Sequence, residues 1–353
     1  MKRVVFLSTV YNAEATVRRA IESVLNQTYG EFVYVITDNG STDHSGAIIR
    51  EYAAKDSRIL TRRNVENNHR SGSNLGNFSL PDVLKREKGY WVSLDADDEY
   101  KPDFLEKMMR FAMDNTLDIA FCGTEYALPD GSSQTDIPAQ TLVVEDADIV
   151  SHLPTYYQYA TRMWGALFSL KLLPRMEPPP DRLEKWGSMY DSKGVLHALE
   201  YAKRVGTFAE NLHKHYISPN QFSRKIYSPH WFWWMNEIYE QTRMFILSYG
   251  PMSKENEDFL TVRRLIWLKY ILPRIKDANA PLERRTWDLV KIFDDDRVIE
   301  HLALDWKKAG ILTDKIEFLQ EQLEWAEQQN IFAPGQPYIQ KLIEILKHRL
   351  EGK

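Results

Sequence analysis

The sequence has very little cysteine: Cys122 is the one cysteine among 353 residues. A single thiol forms no disulfide framework and excludes a zinc site built on cysteine pairs. Cys122 lies in the apolar stretch DIAFCG, where a buried structural thiol is more usual than a nucleophile. The composition therefore points away from disulfide-rich proteins and from cysteine-based zinc proteins.

Long apolar runs and a strong charge of one sign are also absent. No window approaches 18 uninterrupted apolar residues, which argues against a membrane-spanning helix, and the apolar part of MKRVVFLSTVYN is too short for a secretory signal. The net charge of -5 argues against a general nucleic-acid-binding protein. No G-x-G-x-x-G follows the first apolar run, which disfavours a dinucleotide oxidoreductase. The expected compartment is the cytoplasm.

The first 125 residues alternate short apolar runs with helical patterns. Runs covered on both faces are typical of parallel strands, and alternation with helices predicts an open, mostly parallel sheet with helices on both faces. The predicted strands are VVFLST (4–9), FVYVIT (32–37), RIL (58–60), YWVSL (90–94) and DIAFCG (118–123). The predicted helices cover about 17–25 and 43–55, and a third begins near 102.

Three polar motifs follow these strands: TVYN (9–12), TDNGSTD (37–43) and DADD (95–98). In an open parallel sheet they meet at one edge, where ligands bind. A solvated turn explains each motif alone but explains the coincidence of three poorly. Three carboxylates within four positions resist ionising together unless a cation lies among them. The sequence therefore predicts a ligand site, with a divalent cation, at this edge.

The remainder of the chain changes character near residue 229. Before it, LPDGSS (128–133) predicts a hairpin turn, 194–204 a helix and 206–210 a strand. After it, helical patterns continue to the end with Pro251, Pro273 and Pro281 as breaks, and the clearest cover 314–329 and 338–350. We predict a main domain over 1–228 and an all-helical C-terminal unit over 229–353.

The motifs resemble a known family at this point. STVYNAEATVRRAIESVLNQTYGEFVYVITDNGSTD and GYWVSLDADDEYKPDFLEKM are similar to the opening and the DXD region of the family 2 glycosyltransferases, an inverting group with the GT-A fold. Weaker similarity covers MWGALFSLKLL (163–173) and 190–223. The resemblance spans about 1–225 and says nothing about the helical tail.

The resemblance implies residues that bind the donor, a nucleotide-diphosphate sugar. Asp38 would accept a hydrogen bond from the base, for which uracil N3–H is a suitable donor. Thr9 and Tyr11 would line the base and ribose; the less favoured alternative for Tyr11 is a core aromatic at the strand end. Asn39 stands where the family has a second Asp, which removes a charge but keeps polarity. Arg70 would replace the family's diphosphate-binding Arg, because Ser73 occupies that place.

The same resemblance assigns the DXD region. Asp95, with Ala96 beside it, would lie near the ribose or sugar. Asp97 would ligate Mn²⁺ or Mg²⁺, and Asp98 would support the metal or the sugar. The family's Tyr-Arg-x-His segment reads His215-Tyr216-Ile217-Ser218 here. His215 is therefore a candidate metal ligand, and both it and His213 have a structural role as the alternative.

Inversion requires a general base on the acceptor hydroxyl, and the family's acidic pair aligns with Tyr190-Asp191. Asp191 is therefore the candidate base, because a carboxylate within hydrogen-bond reach of the acceptor proton suits this role. Its alternative is a helix N-cap, and Glu184 is the fallback base. Thr42 and Asp43 are expected to cap a helix rather than to bind ligand.

Taken together, the sequence predicts a metal-dependent transferase that uses a nucleotide sugar, most simply UDP-linked, and a glycan or lipid-linked acceptor. A degenerate fold that binds nucleotide or glycan without catalysis is the main alternative. A nucleotidyltransferase is disfavoured because STVYNAEA is neither Gly-rich nor basic. In the tail, HWFWW (230–234) either packs onto the catalytic domain or contacts a membrane surface. The tail could also bear a homo-oligomer interface.

Overall fold

The computed structural model describes residues 4–67, 89–176, 190–218, 231–296, 298 and 315–351. The chain forms two compact units, residues 1–221 and 222–353. The first unit is an α/β layer structure and the second is helical.

The first unit contains ten strands and seven helices within its described residues. The strands are β1 (Val4–Val10), β2 (Phe32–Asp38), β3 (Ile59–Arg63), β4 (Tyr90–Ser93), β5 (Glu99–Tyr100), β6 (Ile119–Ala127), β7 (Ser133–Asp136), β8 (Leu142–Glu145), β9 (Ala166–Ser169) and β10 (Arg204–Tyr216). The helices are α1 (Val17–Leu25), α2 (Ser45–Lys55), α3 (Phe104–Asp114), α4 (Asp148–Ser151), α5 (Leu153–Tyr156), α6 (Leu173–Met176) and α7 (Tyr190–Leu199).

The strands form one open sheet in the order β3-β2-β1-β4-β9-β6-β10-β5, with β7 beside β6 and β8 beside β10. Strands β3, β2, β1 and β4 are parallel, and so is the pair β6–β10. β9 runs antiparallel between these two groups. The predicted fold class is therefore confirmed, and the carboxyl ends of β1, β2 and β4 lie along one edge.

Sequence reasoning was wrong about residues 199–216. The predicted helix over 194–204 ends at Leu199, and the strand predicted over 206–210 extends from Arg204 to Tyr216. β10 pairs with β6 along most of its length and with β8 at its start. These long-range ladders override the local helical pattern, and a bulge near Asn211 hides the strand's alternation.

The second unit consists of helices packed around their own apolar core. Its helices are α8 (Trp231–Leu247), α9 (Lys254–Lys276), α10 (Leu282–Asp294), α11 (Lys315–Phe332) and α12 (Ile339–Leu350). Pro273 was wrongly predicted as a break, because α9 continues through it to Lys276. The neighbouring Leu272 and Ile275 are buried in the core, and this burial offsets the backbone hydrogen bond that proline removes. None of the helices in the described residues is long and apolar enough to cross a membrane.

α3 packs so closely against β10 that Gly206 has no room for a side chain. A Cβ there would lie 2.6 Å from Leu117 Cδ1 and 2.8 Å from two ring carbons of Phe111. We expect Gly206→Ala to lower the free energy of unfolding by about 1–3 kcal/mol, because the core is overpacked. Gly30→Ala is the matched control, since a Cβ at Gly30 meets nothing within 4 Å. Urea unfolding of both variants measures the difference, and equal stability would contradict this packing.

Candidate functional site

Hydrogen bonds fasten the loop after β1 to the loop after β2. Asn12, whose φ of 48° is left-handed, accepts the Thr42 N–H at Oδ1 over 2.8 Å. Asp43 accepts the Glu14 N–H at Oδ2 over 3.0 Å and the N–H of Ser45, the first residue of α2, at Oδ1 over 2.9 Å. Thr42 and Asp43 thus hold the two loops together at the edge where the polar motifs were expected to meet.

Asp38, at the end of β2, is almost fully buried. Its Oδ1 accepts the Ser41 N–H over 2.9 Å, and its Oδ2 lies 3.5 Å from Arg63 Nε. A Cβ at Gly46 would lie 2.5 Å from Oδ2, so glycine is what allows α2 to approach so closely. Within the described residues Oδ2 has no hydrogen-bond partner. A buried acceptor without a partner is costly, and a ligand N–H would relieve that cost.

The residues predicted around the base differ in their surroundings. Asn39 is fully buried, where its Oδ1 accepts from Asn64 Nδ2 at 2.9 Å and its Nδ2 donates to Asn67 Oδ1 at 3.0 Å. Its side chain therefore ties β2 to the segment after β3. Tyr11 is 39% exposed, so it is not a core ring. Thr9 Oγ1 is buried without a hydrogen-bond partner in the described residues.

The DADD motif forms a tight turn anchored through its last residue. The Asp98 N–H donates to the Asp95 carbonyl over 3.1 Å and closes the turn. The Asp98 carboxylate is fully buried and contacts the end of β10. His215 Nδ1 lies 2.8 Å from Oδ2, and the Tyr216 N–H donates to Oδ1 over 3.1 Å. His213 Nε2 lies 3.4 Å from Oδ2. Asp98 therefore joins β4 to β10.

The electrostatics of this anchor favour an ionised Asp98. Burial by itself raises the pKa of Asp98, but the adjacent imidazoles of His213 and His215, the latter in hydrogen-bond contact, outweigh it and lower the pKa to about 2. Burial lowers the pKa of His213, against the opposing pull of Asp98. Asp98 is thus a charged structural anchor, and its paired partner is His215.

Aromatic rings surround His215. The indole of Trp164 stacks on the imidazole with centroids 5.5 Å apart and planes at 9°, and the Tyr126 ring meets it edge-on at 5.7 Å. Arg162, nearly buried, donates from Nη1 to Tyr126 Oη over 2.5 Å and pairs with Asp136 at 3.1 Å. Tyr126, Arg162 and Trp164 were not among the residues predicted from the sequence. The one signal for them was the weakly similar stretch MWGALFSLKLL, which contains Trp164 and directly follows Arg162.

Carboxylates from distant parts of the chain converge beside the anchor. Asp95 is exposed at one side of the turn. The protein around its carboxyl group still displaces water, and this desolvation, followed by the charges of Asp98, Asp191 and Asp97, raises the pKa of Asp95 well above its usual range. Asp191, at the start of α7, is thus one of the charges that act on Asp95. Ala96, between the two outer carboxylates, is half-buried. The turn thus presents excess negative charge.

Asp191 lies in the first turn of α7, inside the helix rather than ahead of it. A carboxylate in this turn interacts favourably with the helix dipole. Burial raises the pKa of Asp191 to about 6. The next residue, Ser192, is buried and donates to the Thr161 carbonyl over 2.7 Å, which fixes this end of the helix. With this pKa the Asp191 carboxyl titrates near neutrality, as a general acid or base does.

The remaining predictions concern three residues outside the described ranges and a metal site. Arg70, Ser73 and Glu184 lie outside the described residues. Where the chain is described, no cluster of three or more His, Cys, Asp or Glu side chains is spaced to hold a metal ion on its own. The predicted ligands Asp98 and His215 hydrogen bond to each other, whereas the Asp97 carboxylate is half-buried beside them.

Comparisons with known proteins agree with this geometry. Residues 6–164 match the family model described as glycosyl transferase family 2. The uncharacterized glycosyltransferase EpsJ of Bacillus subtilis is 24% identical over 70% of this chain and 71% of its own. The putative teichuronic acid biosynthesis glycosyltransferase TuaG of the same organism is 32% identical, over 35% of this chain and 46% of its own.

A solved structure shows the same fold. The crystal structure of S. aureus TarS residues 1–349 in complex with UDP matches with a TM-score of 0.61. The match covers 100% of this chain and 92% of that chain, at 16% identity. At this identity the likeness establishes the fold alone.

The Asp98 anchor predicts a pH-dependent stability. Its pKa is lowered from 3.8 to about 2, so its stabilisation is present above pH 4 and is lost as the pH falls through 2. The shift corresponds to about 2 kcal/mol. We expect Asp98→Asn to lower the free energy of unfolding by about that amount at pH 7, and the deficit to shrink between pH 4 and 2.

Urea unfolding across pH 2–7 measures this difference. Asp114→Asn, which changes an exposed carboxylate, controls for the loss of one negative charge. A constant deficit of Asp98→Asn at every pH would show that the variant loses packing rather than the charge-stabilised anchor.

Proposed function

We propose, because residues 6–164 match the family model described as glycosyl transferase family 2, that the chain transfers a sugar from a UDP-linked donor to an acceptor hydroxyl, with inversion. The observation that carries the proposal is the grouping of Asp95 and Asp97 at the carboxyl edge of the sheet with Asp191, whose charge acts on Asp95; burial first, and then the neighbouring carboxylates, raise the pKa of Asp95. This grouping concentrates negative charge. It suits a reaction in which a cationic group and a donor diphosphate are bound together.

The donor base would be held at the ends of β1 and β2. Asp38 Oδ2 is buried and lacks a hydrogen-bond partner among the described residues, and uracil N3–H supplies the missing donor. The exposed Tyr11 ring and the buried hydroxyl of Thr9 lie on the adjoining strand end. TarS, which shares the fold, is known in complex with UDP and with UDP-GlcNAc. These features support a uridine nucleotide.

A divalent cation fits the DADD turn. Asp95 and Asp97 supply the oxygen ligands that Mn²⁺ or Mg²⁺ prefers, and the raised pKa of Asp95 marks negative charge that the described protein does not neutralise. We assign Asp97 as the principal ligand and Asp98 as the anchor that holds it in place. When bound, the cation would neutralise charge on the leaving diphosphate.

Asp191 would act as the general base. With a pKa of about 6, it is mostly ionised at neutral pH yet remains a competent proton acceptor. It would take the proton of the acceptor hydroxyl as the oxygen attacks the anomeric carbon from the face opposite the diphosphate. The bond from that carbon to the donor phosphate oxygen breaks as the new glycosidic bond forms.

The acceptor is proposed to be a glycan or a lipid-linked glycan. The support is the similarity to glycosyl transferase family 2 and to TuaG, a putative teichuronic acid biosynthesis glycosyltransferase.

Donor binding gives the first test of this function. We expect UDP to raise the melting temperature only in the presence of Mn²⁺ or Mg²⁺, because a ligand that binds the native state stabilises it. Asp97→Ala should abolish the metal-dependent part of the shift. A panel of UDP, GDP, CDP and ADP, each with and without metal, makes the measurement.

Asp114→Asn, on the exposed end of α3, serves as control in the same panel. A UDP shift that is unchanged in Asp97→Ala would remove Asp97 from the metal site. No shift with any nucleotide would favour a degenerate fold without donor binding.

The pH dependence of transfer tests Asp191. The base must be deprotonated, so kcat/KM should rise with pH through about 6, the pKa that burial gives Asp191. Asp191→Asn should bind UDP with metal as the wild type does but lose transfer by about 100-fold or more.

Asp148→Asn, which alters an exposed carboxylate, should keep both the rate and the profile. Release of UDP from candidate UDP-sugars, with and without acceptor glycan, is the readout. A near-normal rate in Asp191→Asn would place the base elsewhere.

A further inference from the structure

Arg19 extends from α1 towards the DADD turn and makes three different contacts there. Its Nη2 donates to the Asp97 carbonyl over 2.5 Å. Its Nε forms an ion pair with Glu99 Oε1 at 2.8 Å. Its guanidinium carbon lies 3.6 Å from the centroid of the Tyr216 ring, in a cation–π contact. One side chain thus binds the middle of the turn, the residue after it and the end of β10.

The partners of Arg19 also bind one another. Tyr216 Oη donates to Glu99 Oε1 over 3.1 Å, and the Tyr216 N–H donates to Asp98 Oδ1 over 3.1 Å. The Asp97–Asp98 peptide is therefore held on one side by Arg19 and on the other by the contacts of Asp98 with β10. We call Arg19, Glu99 and Tyr216 the turn clamp.

The clamp opposes a force that the site itself creates. Asp95, Asp97 and Asp98 repel one another, and this repulsion contributes to the raised pKa of Asp95. A turn free to move would relieve the repulsion by rotating the Asp97–Asp98 peptide and swinging the Asp97 side chain away. The Asp98 carboxylate is fixed by β10, but it does not hold the Asp97 carbonyl. In the described residues that carbonyl is bound by Arg19.

We propose that Arg19 is a positioning residue for the acidic turn: it fixes the orientation of the Asp97 backbone so that the Asp97 carboxylate remains directed into the donor site. This role rests on the proposed function, because the purpose of that orientation is to bind the cation and the donor. It acts through Asp97 and requires no contact between Arg19 and the substrate. The planar guanidinium is essential, since a lysine ammonium cannot donate, pair and stack in one geometry.

Arg18 provides a matched control on the same helix. It pairs with Glu51 Oε2 on α2 over 2.7 Å, and its side chain is 48% exposed, against 36% for Arg19. The two variants Arg18→Ala and Arg19→Ala remove the same group from adjacent positions. Only Arg19→Ala removes a contact with the DADD turn.

The first measurement requires no ligand. Hydrogen exchange of the peptide that contains residues 94–100 reports opening of the turn, because the Asp98 N–H is bonded to the Asp95 carbonyl. We expect exchange in Arg19→Ala and Arg19→Lys to be about tenfold faster than in wild type or Arg18→Ala, as expected for the loss of a charge-assisted hydrogen bond. Equal rates in all four proteins would overturn the clamp.

The second measurement uses UDP with Mn²⁺. The Mn²⁺ concentration for half-maximal UDP binding, measured by calorimetry, should rise about tenfold in Arg19→Ala and in Arg19→Lys and remain unchanged in Arg18→Ala. Tyr216→Phe keeps the ring under Arg19 and should retain most of the metal affinity, whereas Tyr216→Leu should not. A general loss of stability would not follow this pattern.

The outcomes separate the clamp from the proposed function. If wild type binds no UDP at any Mn²⁺ concentration, the proposed function fails, and hydrogen exchange still decides whether Arg19 holds the turn. If wild type binds UDP with Mn²⁺ but Arg19→Ala matches Arg18→Ala in metal affinity, the positioning role fails and the proposed function stands.

Discussion

The buried carboxylate of Asp98 is the interaction on which the candidate site depends. A fully buried charge is costly unless hydrogen bonds and polar neighbours compensate it, and here His215 Nδ1 and the Tyr216 N–H contact the carboxylate, with His213 Nε2 lying 3.4 Å away. All three come from the last four residues of β10. β10 must therefore extend to Tyr216 for the acidic turn to exist in this form. The anchor links the parallel strands that carry the donor-side motifs to the strand that closes the sheet.

This anchor lies beside further carboxylates. With Asp98 ionised and fixed, Asp95 and Asp97 share its turn, and burial together with the charges of Asp98, Asp191 and Asp97 raises the pKa of Asp95. Asp191 reaches the same region from α7, with its own pKa raised by burial to about 6. A bound cation would favour ionisation of Asp95 again. Under the proposed function, donor binding and the charge state of the turn would therefore be coupled, and the ligand would relieve repulsion that the anchored turn creates.

The sequence predicted those parts of the molecule whose cause is local. Continuous apolar runs identified β1, β2 and β4, and the polar motifs after them follow directly from strand direction in a parallel sheet. The length of β10 and the pairing of Asp98 with His215 were not predictable in this way, because they depend on residues 117 positions apart in the chain. The stacking of Trp164 on His215 is equally non-local. The local sequence pattern thus predicts which edge of the sheet carries the polar motifs. Contacts between distant residues decide that Asp98 is the carboxylate that pairs with β10.

The departures from the family pattern are matched by contacts of this chain's own. At position 39 an Asp would still accept from Asn64, but it could not donate to Asn67 Oδ1 and would set a charge beside that oxygen; the amide of Asn39 satisfies both neighbours. At position 216, where the family has Arg, Tyr216 provides the ring beneath Arg19 and the hydroxyl that donates to Glu99. A cation is still present at this point of the structure, but it is contributed by α1. Each replacement is therefore satisfied by its own neighbours, which accounts for how this chain tolerates the departures at positions 39 and 216.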